Sequence, residues 1–196
     1  MKRVFVWLSA VVLSVGLVAC QQEEEVEVLP TIAETAVEAG TFVNLVAALT
    51  ATELVGTFLD AEAGPFTVFA PDDAAFVALI SLVNDELGLV EGDVGFVADL
   101  NGLVAAVGLP YVKDVLLYHV VAGEFFAADV VQVTGFNTLL EDYTLEVAVE
   151  GSVVSLSGLV PADITAVDIE ASNGVIHVID FVLLPYLPAV LTPVND

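Results

Sequence analysis

The chain has 196 residues, enough for one domain with a sizeable hydrophobic core, and 58% of them are hydrophobic. Against 28 Asp and Glu there are only three Lys and Arg, a formal net charge of −25 at pH 7. This balance excludes nucleic-acid binding, which needs Lys and Arg against phosphate, and electrostatic adsorption to anionic lipid.

Two of the three cations, Lys2 and Arg3, open the chain and precede the apolar residues 4–15. Leu17-Val18-Ala19-Cys20 then ends the stretch at the only cysteine. The run is too short to predict a permanent transmembrane helix and has the layout of a processed export signal. Small residues ahead of a single Cys resemble a bacterial lipoprotein signal. That resemblance implies that residues 1–19 are removed and that Cys20 carries the lipid, which leaves no thiol for disulfide, metal or nucleophilic chemistry. Gln21 after the Cys resembles signals passed on to the outer membrane of Gram-negative cells. The expected location is therefore the cell envelope, on its periplasmic or cell-surface side, with the outer membrane favoured over the inner. Residues 20–29, with Glu23, Glu24, Glu25 and Glu27, read as an acidic, self-repelling tether. Loss of Lys2 and Arg3 would leave Lys113 as the one cationic side chain, a composition best tolerated in salty surroundings, and a marine or halophilic source is expected.

From residue 30 the pattern becomes helical. Thr31 and Glu34 have the spacing of a capping box, and Gly40 ends that helix. Phe42, Leu45, Val46 and Leu49 fall at i, i+3, i+4 and i+7, an amphipathic helix. After Gly64-Pro65, residues 66–70 predict a short strand ended by Pro71. Asp72 or Asp73 then caps a helix whose inner face is Phe76, Leu79, Ile80 and Val83. Residues 84–109 read as one or two helices with loops, continuing through 111–121. Their acids Asp85, Glu86, Glu91, Asp93 and Asp99 miss the Asp-x-Asp-x-Asp-Gly spacing of a calcium loop and read as solvated faces.

Residues 136–140 and 143–149 predict strands; in the second, Tyr143, Leu145, Val147 and Val149 alternate with polar or small residues. A turn at Glu150-Gly151-Ser152 leads into a strand at 153–156. Ser172-Asn173-Gly174 is a turn signal, and the apolar run 175–184, closed by Pro185, predicts a central strand covered on both faces.

Three segments then stand together. "TVFAPDDAAFVAL" (67–79) and "SNGVIHVIDFVLLP" (172–185) resemble the first and second conserved motifs of fasciclin domains. Between them "LLYHVVAGEFFAADV" (116–130) resembles the family's tyrosine–histidine segment. The resemblance covers most of residues 31–188. It implies an α+β fold with a single fasciclin-like domain at 30–188, a wedge of short strands flanked by helices, followed by a tail at 189–196. It also implies adhesion, with Tyr118-His119 and Asp168-Ile169 as candidate partner-binding residues. Departures surround the second pair: Ala166-Val167 precede it and Glu170 follows where an aliphatic residue is usual.

A catalytic reading finds little to stand on. His119 and His177 lie in apolar runs, where a histidine serves as a buried hydrogen-bonding group. No Gly-x-Ser-x-Gly elbow, zinc-spaced His or Cys set, or phosphate-binding glycine loop occurs. The expected function is that of a lipid-anchored adhesion or protein-interaction module. It would be non-enzymatic and without cofactor or metal, contacting the membrane through its lipid and an unidentified protein or matrix partner, with cations held only nonspecifically by the acids. The alternatives are a small-ligand or polymer-binding surface module and a hydrated acidic spacer with no specific ligand.

Overall fold

The computed structural model describes residues 29–60 and 62–188. The signal segment, Cys20, residues 20–28 of the tether and the tail at 189–196 lie outside the described residues.

The chain begins with α1 (Ile32–Ala39), α2 (Val43–Ala51) and α3 (Val55–Leu59). The capping box forms as predicted: the Glu34 amide donates to the Thr31 hydroxyl, and the Thr31 amide donates to the Glu34 carboxylate at 2.8 Å. These bonds to Thr31 hold the Glu34 carboxyl below its usual range. Gly40 takes φ 68°, the left-handed conformation that closes a helix cheaply only for glycine.

Strand β1 (Phe66–Pro71) leads into α4 (Asp73–Leu87), and the adjacent aspartates divide the capping work. Asp72 accepts the Ala75 amide at 2.8 Å and caps α4. Asp73 accepts the amides of Val43 and Asn44 and so caps α2, whose own N-cap residue, Phe42, has no side-chain acceptor. Helices α5 (Leu100–Val107) and α6 (Leu109–Tyr118) follow a loop pinned by buried Asn84, which donates to the Val97 carbonyl and accepts its amide.

The rest is mostly sheet: β2 (Val120–Ala122), a short helix α7 (Ala127–Val130), β3 (Gly135–Asn137), β4 (Thr144–Glu150), β5 (Val153–Ser157), β6 (Ala162–Ala171) and β7 (Gly174–Ile179). The seven strands form one sheet in the order β2-β1-β7-β6-β5-β4-β3. Only β1 and β7 run parallel. The sheet curls until its two ends meet: Val121 bridges Thr138, and the Leu139 amide donates to the Val120 carbonyl at 2.7 Å. Register shifts in β6, between Ile164 and Ala166 and again between Ala166 and Ile169, add twist of the kind that lets a sheet bend.

Curling creates two cores. Helices α1, α2, α4, α5 and α6 cover the outer face, where Val68, Ala70 and Ile176 meet Phe76, Leu79 and Leu116. The inner face encloses Phe69, Phe136, Leu145, Leu156 and Ile179 with Tyr118 and Leu183. Alternation along β1 and β7 sends successive side chains into different cores, so the strand expected to be apolar on both faces is covered on both.

Several expectations need correction. Strand β7 ends at Ile179, five residues short of the apolar run's end. Beyond it Val182, Leu183 and Leu184 are buried outside any strand. Apolarity reported burial there and not extension. The strand expected at 136–140 stops at Asn137. Along β4 the alternation holds at Leu145, which is fully buried, but Val149 is exposed at the outer end. Gly174 takes the positive φ of the β6–β7 turn, and a Cβ there would run into the Phe66 carbonyl of β1.

Candidate functional site

Tyr118 and His119 stand where α6 runs into β2, and they face inward. Tyr118 is 4% exposed and donates its hydroxyl to the Ser157 carbonyl at 3.0 Å. Burial, with Glu146 nearby, pushes the Tyr118 phenol above its ordinary range. His119 is 2% exposed. Its Nε2 accepts the Leu183 amide at 2.9 Å, so the proton sits on Nδ1, which donates to the Val115 carbonyl at 2.6 Å. Burial lowers the His119 pKa to about 4, against the opposing pull of that Val115 bond. In the folded domain neither side chain is presented to a partner; both join helix to sheet.

Asp168 and Ile169 lie on β6; Asp168 falls inside its second register shift, and Ile169, paired with Ile176, closes it. Ile169 is half-buried against the helix-covered core. Asp168 is exposed, and its backbone is left-handed at φ 59°, a costly conformation for a residue with a side chain. Its main-chain amide donates to Nδ1 of His177 at 3.3 Å. Its carboxylate accepts the Ala127 amide at the start of α7 at 2.7 Å. His177 is completely buried; with Nδ1 accepting, its Nε2–H donates to the Phe125 carbonyl at 2.8 Å. The Phe125 amide in turn donates to the Thr67 hydroxyl, which donates to the Gly123 carbonyl. Loop 123–126 is thereby fastened to β1 and β7, and the first residue of α7 to β6.

The two candidate pairs are not neighbours, because β1 and β7 lie between β2 and β6. Phe69 is their link. Its amide donates to the His119 carbonyl, and its ring stacks on His177 with centroids 5.6 Å apart. Sequence reasoning missed Ala127, which acts through its main-chain amide and so leaves no mark in side-chain pattern. It also missed Thr67, whose hydroxyl is a hub, although the residue stands in the first family-like segment.

Other concavities offer less. An apolar slot lies between α4, α5 and α6, walled by residues such as Phe76, Leu103, Tyr111 and Leu116. Its free volume is about 40 Å³. One water needs roughly 10–15 Å³ of such space, so only a slender apolar group fits. A larger, mainly polar depression of about 460 Å³ lies over the β3–β4 turn, beside Glu141, Asp142 and Tyr143. Neither combines apolar walls with convergent polar groups, the usual pattern of a small-ligand site. Among the described residues, no three His, Cys, Asp or Glu side chains gather as a metal site. No single described helix is long and apolar enough to cross a membrane.

A curled seven-stranded sheet, helices over its outer face and an inner core sealed by histidine-to-backbone bonds define an α+β module whose deep polar groups serve its own architecture. Residues 40–185 match the family described as Fasciclin domain, and the chain belongs to that family. It is 40% identical to "Protein sll1483" of Synechocystis over 79% of this chain and 73% of that protein. It is 35% identical to "Uncharacterized protein sll1735" of the same organism over 80% and 98%. Similarity to the immunogenic protein MPB70 of Mycobacterium bovis is 28%, over 63% of this chain and 52% of that one. A solved structure of a FAS1 domain pair from the insect cell adhesion molecule Fasciclin I superposes with a TM-score of 0.54 at 19% identity. That superposition covers 74% of this chain and 46% of the insect chain, and it shows a shared fold.

Proposed function

We propose that this protein is a non-enzymatic adhesion or protein-contact module, displayed outside the cytoplasm and held to the cell envelope by lipid on Cys20. Membership of the fasciclin family over residues 40–185 carries the reading, because family members are often adhesion or protein-interaction modules. The interior supports it. Both histidines spend both ring nitrogens on the main chain, so His119 and His177 work as scaffold. Recognition then belongs to the surface, where Asp168 is exposed and Ile169 half-exposed beside it.

The anchor rests on the sequence around Cys20 and Gln21. A single acyl chain binds weakly, at about 0.8 kcal/mol per buried CH₂, so durable attachment uses more than one. Cys20→Ser should move the protein from membrane to soluble fractions; a processed variant that stays with the membrane contradicts the anchor. For adhesion, beads coated with the purified protein should adhere to the producing cells more than albumin-coated beads do. Equal adherence favours the hydrated acidic spacer.

A further inference from the structure

We propose that the four tyrosines form an oxidation relay in which Asp114 takes the proton of Tyr186 and exposed Tyr143 carries the radical to the surface, where it cross-links to Tyr143 of a second copy of this chain.

Tyr111, Tyr118, Tyr143 and Tyr186 are all the tyrosines of the chain. In the fold they stand in one line of ring contacts. Tyr111 meets Tyr186 edge-on with centroids 5.2 Å apart, Tyr186 meets Tyr143 at 5.8 Å, and Tyr143 meets Tyr118 edge-on at 6.2 Å. Rings at such spacings are in contact, and an electron vacancy passes between phenols that touch. Helix α6 supplies Tyr111, Asp114 and Tyr118 at intervals of three and four, hence from one side. Tyr143 comes from the turn before β4, and Tyr186 from the segment after β7. The chain's one Met, one Trp and one Cys, Met1, Trp7 and Cys20, lie outside the described residues. The tyrosines are therefore the most easily oxidised side chains among the described residues, and all four share one place. Packing alone does not ask for this, since the inner core stacks Phe69, Phe125 and Phe136 without a hydroxyl among them.

The hydroxyls divide the roles. Tyr111 and Tyr118 donate to main-chain carbonyls, of Tyr186 and Ser157, which are poor bases. Tyr186 donates to Oδ2 of Asp114 at 2.5 Å, a carboxylate placed to accept the proton. That bond, with burial, pushes the Tyr186 phenol up to about 12, so at neutral pH the ring still holds the proton it sheds on oxidation. Tyr143 is 36% exposed and borders the polar depression over the β3–β4 turn, where a second phenol can approach.

The co-reactant is a one-electron oxidant, of the kind a peroxidase or a photoexcited dye generates. It takes one electron from Tyr186, whose phenol proton passes to Asp114. Tyr143 then gives an electron to the Tyr186 radical and its own proton to water, while Asp114 returns the first proton to Tyr186. Two Tyr143 radicals join through ring carbons beside their hydroxyls, and a proton shift restores both aromatic rings with no atom lost. Over the pair, two electrons reach the oxidant and two protons reach solvent.

The full chain in uncharged detergent and 1 M NaCl is oxidised by a flash-generated ruthenium(III) polypyridyl complex. At that salt the screening length is about 3 Å, so two copies with a net charge of −25 each can meet. Phenoxyl absorbance is followed in light and heavy water, and cross-linked peptides are identified by mass spectrometry after thiol reduction. The wild type should form its phenoxyl more slowly in heavy water and give a dominant link between two Tyr143 rings. Asp114→Asn keeps a hydrogen-bond acceptor but loses the base. It should slow phenoxyl formation by at least about tenfold, because a positioned base speeds proton transfer by about 10²–10⁴-fold. Asp114→Glu should restore most of the rate, which a merely structural defect would not allow. Tyr143→Phe should keep the rate and lose the link; Tyr186→Phe, which keeps the ring, should lose both. An Asp114→Asn rate equal to wild type, or a Tyr143 link undiminished in Tyr186→Phe, would overturn the relay. Links spread evenly over the tyrosines, or no phenoxyl in the wild type, would overturn it as well.

Discussion

At the scale of single residues, the domain is held by polar side chains that bind main chain far away in sequence. Asn173 is 3% exposed and joins three segments. Its Oδ1 accepts the Ile32 amide at the start of α1, its Nδ2 donates to the Asp60 carbonyl, and its own carbonyl accepts the Phe66 amide opening β1. Asn173→Ala strands two partners at once, and a loss of about 2–4 kcal/mol is expected in a urea titration. An unchanged midpoint would show that water replaces the side chain without cost. His119 makes a different prediction, in pH. Its folded pKa, about 4, lies below the ordinary histidine value of 6.5, so on acidification the unfolded chain takes up the proton first. The stability tied to neutral His119 is therefore fully present above about pH 6.5 and drains away as pH falls toward 4. The full loss is on the order of 3 kcal/mol. Carboxylates titrate in the same window, so the measurement is the difference between wild type and His119→Gln. The variant's stability should fall less steeply between those pH values; parallel curves would contradict a buried neutral imidazole.

At the scale of elements, much of the fold could be read locally. Thr31 with Glu34, Asp72 ahead of an apolar face and Gly40 behind one are short-range chemistry, and each marks a helix end where it was expected. The β6–β7 turn is legible for the same reason. What local pattern did not mark is set by partners distant in sequence. Strand β6 is the longest, yet its two register shifts spoil the period-two alternation that identifies a strand. Val182, Leu183 and Leu184 look like strand because they are apolar, yet they are buried in the two cores without belonging to a strand. The candidate site divides likewise. Asp168 and Ile169 were singled out through resemblance alone, whereas the inward orientation of Tyr118 and His119 follows from where α6 meets β2. The twin aspartates test this division. Asp72→Ala should loosen α4 and Asp73→Ala should loosen α2, each at about 1 kcal/mol, the usual worth of an N-cap. Amide exchange resolves the two: faster exchange in α2 for the Asp73 variant, and in α4 for the Asp72 variant. If both variants loosened only α4, the cap supplied to α2 from thirty residues away would be ornamental.

At the scale of the whole molecule, charge is the governing fact. Acids outnumber cations 28 to three, and Lys113 is the one cation among the described residues. Two like charges about 4 Å apart repel by roughly 1 kcal/mol in water. The screening length falls from about 8 Å at physiological salt to about 3 Å at 1 M. Unfolding separates the acids, so added salt relieves a repulsion that the compact state feels more strongly. For a domain of this size 1 kcal/mol corresponds to about 2–4 °C in Tm, and relief spread over many pairs should raise Tm by at least about 5 °C between physiological salt and 1 M NaCl. The choice of salt then separates two origins. If screening is responsible, KCl and NaCl act alike, and CaCl₂ follows ionic strength with only the modest advantage of a divalent counterion. If a calcium site is built into the fold, low-millimolar CaCl₂ raises Tm steeply and saturates while the monovalent salts do not. A Tm flat in all three would mean that the acids stand too far apart to burden the folded state, and the expectation of a saline habitat would lose its physical ground.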